Sequence, residues 1–170
     1  MISKKLEKAI NAQINRELFS EYLYLSMSAW FAQASLDGYA NWMAIQAQEE
    51  HYHAMKFFNY VIERGGKVIL DKIDKPENDF KNPTKAFEMT LKHEQFITKN
   101  INDLMDVAIS ENDHAAKSFL QWYVDEQVEE EATADKLLSQ LKMIGDRIEA
   151  VLMLDRELAQ RVYTPPAATE

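Results

Sequence analysis

No cysteine occurs in the 170 residues. Disulfides, thiolate zinc sites, iron–sulfur clusters and thiol nucleophiles are therefore excluded. Glycine and proline are scarce, with four of each, which disfavours a turn-rich β fold and leaves long stretches free to be helical. Basic residues are outnumbered, 19 Lys and Arg against 28 Asp and Glu, for a net charge of −9. That balance argues against a nucleic-acid footprint and suits a surface that handles cations. No uncharged apolar run reaches the ~18 residues needed to cross a bilayer, so no membrane span is expected. The first residues, Met1-Ile2-Ser3-Lys4-Lys5, lack the apolar segment of a signal peptide. These absences together point to a cytoplasmic protein. Apolar residues make up 46% of the chain, and the length suffices for one domain, residues 1–170, with a sizeable core.

Periodicity predicts an all-α fold. A first helix is expected over about 3–34, capped by Ser3, with Ile10, Ile14, Leu18, Leu25 and Phe31 on its apolar face and a break at Leu36-Asp37-Gly38. A second is expected over 39–64, stopped by Gly65-Gly66. Residues 66–82 form a long connection, which in a compact domain needs a reason. A crossover joining two parallel helices of a bundle supplies one. Asn82 and Pro83 start a third helix over 83–110. Asp113 caps a fourth, 113–144. Its face Ala116, Leu120, Tyr123, Gln127, Glu130, Ala134, Leu137, Leu141 and Ile144 follows the alternating three–four spacing of a bundle seam. Asp146 is expected to cap a short fifth helix, 146–163, followed by a frayed tail at 164–170. The expected architecture is a four-helix bundle with one long crossover and a short C-terminal helix.

Polar residues interrupt these apolar stripes. Glu50-x-x-His53 lies among Met43, Ala47, Ala54, Phe57 and Val61 on one helix face, so its carboxylate and imidazole point the same way. Glu17, Glu94 and Glu130 lie midway along the other three long helices, so all four carboxylates meet at one level. Burying an unpaired carboxylate costs several kcal/mol or more, and four facing one core require a cation. Glu from two helices plus Glu-x-x-His is a di-metal carboxylate pattern, and oxygen donors with one imidazole suit iron or manganese. Tyr24, two turns after Glu17, either packs or bonds a ligand or donates an electron. Gln127, one turn before Glu130, can hydrogen-bond a metal-bound oxygen species or ligate weakly. Trp122 reads as packing, and His51, His93 and His114 read as surface groups. Taken alone, the acidic run 125–131 reads as a solvated face.

Glu17 with Tyr24, the run Gln46-Ala47-Gln48-Glu49-Glu50-His51-Tyr52-His53, Glu94, and the run Phe119–Glu131 resemble the bacterial non-haem ferritins from about residue 3 to 163. The resemblance implies a ferritin-like bundle that stores iron. It implies that Glu17, Glu50 and His53 hold one iron, that Glu50 bridges to a second held by Glu94 and Glu130, and that Gln127 lies nearby. It also implies a third iron site from Glu49, Glu126, Glu129 and Glu130. The implied activity is oxidation of Fe(II) by dioxygen or peroxide, with ferric mineral stored inside a homo-oligomeric shell of twenty-four subunits. Haem-containing bacterioferritins carry a second Glu-x-x-His where this chain has Gln127 and Glu130. Their haem-ligating methionine aligns with His51, so no haem is expected. Two other readings fit less well: a di-iron peroxidase resembling rubrerythrin, which usually adds a cysteine-rich domain, and a scaffold whose metal is structural.

Overall fold

A computed structural model describes residues 1–165. It contains five helices: α1 Lys4–Gln33, α2 Asp37–Glu63, α3 Pro83–Ser110, α4 His114–Ile144 and α5 Ile148–Leu158. Among the described residues there is no strand, and no helix is long and apolar enough to cross a membrane.

Local signals start three of the helices. Ser3 Oγ accepts the Leu6 N–H, Asn82 Oδ1 accepts that of Lys85, and Asp113 Oδ1 accepts that of Ala116. Each satisfies an amide that has no partner inside its helix. The start of α2 differs, because Leu36 makes no side-chain cap. There the amides of Gly38 and Tyr39 donate to Asp155 Oδ1 of α5, at 2.8 and 3.0 Å. A carboxylate from elsewhere in the fold thus caps the positive end of α2. The approach requires glycine: a Cβ at Gly38 would lie 1.7 Å from the Asp155 carbonyl oxygen. Gly38 therefore does not break the chain as expected, and α2 begins at Asp37, two residues before the expected Tyr39. The fifth helix is shorter than expected. It begins after Arg147 with no side-chain cap, so Asp146 does not start it, and it ends at Leu158, with a turn at 159–160 and irregular backbone over 161–165. The expected fraying of 164–170 falls largely outside the described residues.

Helix α2 returns antiparallel beside α1, and α4 beside α3. The connection 64–82 then runs along α1. Asn11 donates to Lys67 O and accepts from the Ile69 N–H, Asn15 donates to Asp71 O and Lys72 O, and Ser26 donates to Glu77 O. The contacts climb α1 from residue 11 to 26 as the loop climbs from 67 to 77. The loop thereby carries the chain from one end of the bundle to the other, and α3 runs parallel to α2.

Two apolar clusters fill the bundle. One joins Leu23, Met27, Phe31, Tyr39, Trp42, Phe87, Leu138, Leu141 and Leu154. The other joins Leu6, Ile10, Ile14, Phe57, Val61, Ile97, Ile101, Leu120 and Tyr123. Leu25, expected on the inner face, is 47% exposed; Leu23, Tyr24 and Met27 take the inner positions instead. Between the clusters lies a layer of buried polar groups.

Candidate metal centre

That layer contains Glu17 of α1, Glu50 and His53 of α2, Glu94 of α3, and Gln127 and Glu130 of α4, all buried. A donor atom from each of Glu17, Glu50 and His53 lies within 4.8 Å of the other two, and the same holds for His53, Glu126 and Glu130. His53 belongs to both groups, so the two clusters meet at one residue.

Amides and one phenol hold three of the carboxylates. Gln13 Nε2 donates to Glu17 Oε1 at 2.8 Å, and Gln46 Nε2 to Glu130 Oε2 at 2.9 Å. Gln127 Nε2 donates to Glu94 Oε2 at 3.3 Å, and the Tyr24 hydroxyl donates to Glu94 Oε1. Tyr24 keeps its proton, because burial and the nearby carboxylates push its pKa well above the usual phenol value. Gln13 carries no motif, and Gln46 opens the run Gln46–His53 without any role assigned to it there. The spacing of Gln13, four residues before Glu17 on the same helix face, is its sequence signal, whereas Gln46 lies four residues before Glu50 but bonds Glu130 across the bundle. These donors leave one oxygen on Glu17 and one on Glu50, both Oε2, buried without a hydrogen-bond donor. Unpaired buried acceptors of this kind are costly, and a hard cation satisfies both at once.

Burial decides the charge state of the centre. It pushes Glu17 and Glu94 up to about 7, Glu94 adding repulsion to Glu17. Burial and then Glu94 raise Glu50 and Glu130 further still. His53 moves the other way, to about 3, because burial disfavours the imidazolium. Its ring is neutral near pH 7 and its lone pair is free for a metal, with Nδ1 at 3.4 Å from Glu50 Oε2. Edge contacts with Trp122 and Tyr123 fix the ring plane, with centroids 5.4 and 6.0 Å away. The Tyr123 hydroxyl also bonds His53 O at 2.8 Å. Trp122 thus packs against a candidate ligand. A cation in this layer relieves the repulsion among the carboxylates and releases the protons they hold.

The acidic residues beside the centre do not all converge. Glu126 is half-buried and joins His53 and Glu130. Glu49 instead pairs with Arg161 at 2.7 Å, and Glu129 is exposed. Of the histidines read as surface groups, His51 is exposed and pairs with Glu21 at 3.0 Å, and His114 is exposed. His93 corrects the expectation. It sits in the α1–α3 seam, 2.8 Å from Ser20 Oγ and edge-on to Tyr24, and burial lowers its pKa to about 4. It lies off the apolar stripe of α3, yet Phe19 of α1 covers it.

Comparison with known proteins gives a consistent result. The Ferritin family profile, described as a ferritin-like domain, matches residues 7–144. The chain is 43% identical over 161 residues to a "Bacterial non-heme ferritin" of Bacteroides fragilis (strain 638R), covering 95% of this chain and 100% of that one. It is 41% identical over 156 residues to the protein of that name from Campylobacter jejuni, covering 92% and 93%. The fold superposes with a TM-score of 0.94 on a structure described as a novel open pore ferritin from the archaeon Archaeoglobus fulgidus. That pair is 48% identical and covers 95% of this chain and 100% of the other.

Proposed function

The chain belongs to the ferritin family, and on that footing we propose that it is an iron-storage subunit that oxidises Fe(II) before depositing it as ferric mineral. The observation that carries this reading is the buried layer of four carboxylates and one neutral imidazole, with unpaired oxygens on Glu17 and Glu50.

Iron is the substrate. Glu17, Glu50 and His53 receive one Fe(II) ion, and Glu94 and Glu130 receive a second, with Glu50 bridging the pair. Binding displaces the protons these carboxylates hold near neutral pH. Each ion gives up one electron, and the two electrons reduce one molecule of dioxygen or peroxide. Hard carboxylate oxygens favour the Fe(III) product over Fe(II). Hydrolysis of Fe(III) then releases further protons as the product leaves for the mineral.

The chain's own groups set up this reaction. Gln13 and Gln46 orient Glu17 and Glu130. Tyr24 and Gln127 hold Glu94, and Tyr24 stands close enough to hydrogen-bond a ligand or supply an electron. Glu126 and Glu130, with Glu49 and Glu129 beside them, form a third, looser iron site. We further propose that the subunits close into a hollow shell of twenty-four, within which the mineral grows.

Storage is tested by adding excess Fe(II) to the apoprotein in air and separating the product by size, with iron and protein followed together. Iron is expected to co-elute with a particle many times the subunit mass. Iron that elutes apart from protein, or with a particle no larger than a few subunits, overturns the storage reading.

A further inference from the structure

The segment after α5 lies against α2, with Tyr163 beside Ala44, Gln48 and Tyr52, and its polar contacts gather on Arg161. Asn41 Nδ2 donates to the Arg161 carbonyl at 3.0 Å, and Arg161 Nη1 donates to Trp42 O at 3.3 Å. The guanidinium lies over the Trp42 ring, 4.7 Å from its centroid, and Nη2 reaches Glu49 Oε2 at 2.7 Å. The charged group is thus fixed by a backbone carbonyl, an aromatic face and a carboxylate together, whereas an isolated exposed ion pair contributes little.

Its position matters because Glu49 directly precedes Glu50 of the metal-binding layer. Glu49 raises the proton affinity of both Glu126 and Glu130, and Arg161 lowers that of Glu130. Arg161 and the Glu126–Glu130 corner therefore act on the same charges. Yet Glu49 joins neither three-residue group of candidate ligands, and its Oε2 is turned to Arg161. A divalent cation and a guanidinium cannot both sit against that carboxylate without strong repulsion.

We propose that Arg161 is a tethered counter-ion for the corner formed by Glu49, Glu126 and Glu130. A divalent cation entering the corner takes Glu49 from Arg161, and the segment 159–165 then detaches from α2. The third ion binds more weakly than the first two because it must displace an internal cation. Filling of the corner is thereby reported at the C-terminal segment, and by linkage anything that docks the segment more firmly weakens the third ion. This inference rests on the proposed reading of the centre as a metal site.

The test uses Zn(II), which binds without redox chemistry, with the whole chain and the variants Arg161→Gln, Arg161→Lys and Glu49→Gln. Calorimetry counts the ions, and hydrogen exchange of residues 159–165 reads the segment. In the wild type, two ions are expected to bind with segment exchange unchanged. A third, weaker ion is expected to raise that exchange about tenfold. In Arg161→Gln the segment should exchange fast from the start. The third ion should bind about tenfold more tightly, with the first two unaltered, and Arg161→Lys should fall between. Glu49→Gln should lose the third ion and free the segment. A third ion that binds while the segment stays protected, or with equal or lower affinity in Arg161→Gln, overturns the inference. Two ions and never a third, in every variant, also overturns it and leaves the two-ion centre standing. No tight ion in any variant overturns the centre itself.

Discussion

Glu50→Gln is expected to slow Fe(II) oxidation by at least about 100-fold, since loss of a group merely supporting a ligand already costs ~10–100-fold. The same change is expected to make the metal-free bundle more stable. Glu50 is buried, one of its oxygens has no donor, and Glu17, Glu94 and Glu130 surround it with like charge. Glutamine keeps the volume and is neutral without having to take up a proton, so the metal-free fold should be more stable at pH 7.5. Stopped-flow absorbance at limiting iron reads the first effect, and denaturant unfolding of the chelated protein reads the second. A variant that oxidises iron at near wild-type rate would remove Glu50 from the centre. A variant that is slow and also less stable would mean that Glu50 serves the fold.

Raising the pH from 6.5 to 8 is expected to destabilise the metal-free protein, with Zn(II) abolishing that loss. Glu17 and Glu94 are held at about 7 in the fold, against an ordinary 4.5. In the folded state they bind protons that the unfolded chain has already released. Their contribution to stability is therefore complete below about 4.5 and declines as pH rises through 7. His53, lowered to about 3 from 6.5, runs opposite: its contribution is complete above 6.5 and declines as pH falls toward 3. Above 6.5 only the carboxylates titrate, so the two effects separate. Glu17 and Glu94 together, at ~1.4 kcal/mol per unit for each proton still held, give a fall of roughly 1.5 kcal/mol, and Glu50 and Glu130, raised in the same direction, add to it. The share of Glu17 and Glu94 alone is about 3–6 °C in Tm for a chain of this size. Bound Zn(II) keeps the carboxylates ionised at both pH values, and the loss should vanish. A metal-free Tm that is flat or rises over this window would show that the carboxylates are not held protonated by burial.

Much of this is legible in the sequence, for reasons that differ by residue. Ser3, Asn82 and Asp113 act on amides three residues away, so their caps are written locally. The direction of the connection 64–82 follows from its length. The shared level of Glu17, Glu50, Glu94 and Glu130 follows because mid-helix residues of antiparallel and crossed-over helices must meet. What is not legible acts across long separations or without a motif. Asp155 caps a helix 117 residues earlier. Arg161 reaches Glu49 from the far end of the chain. Gln46 is an ordinary helix residue until the fold brings Glu130 within reach of its amide. His93 departs from its expected surface position because helical spacing reports the face of its own helix and not the neighbour that covers it.

Uptake and oxidation of two Fe(II) ions per chain by the buried layer are tested most directly by titrating the apoprotein anaerobically with Fe(II), admitting dioxygen, and plotting the amplitude of the fast ferric absorbance against iron per chain. A break near two irons per chain is expected in the wild type, and no fast phase in His53→Ala. Oxidation no faster than in buffer, or a fast phase that survives in His53→Ala, would contradict the two-iron reading of the layer.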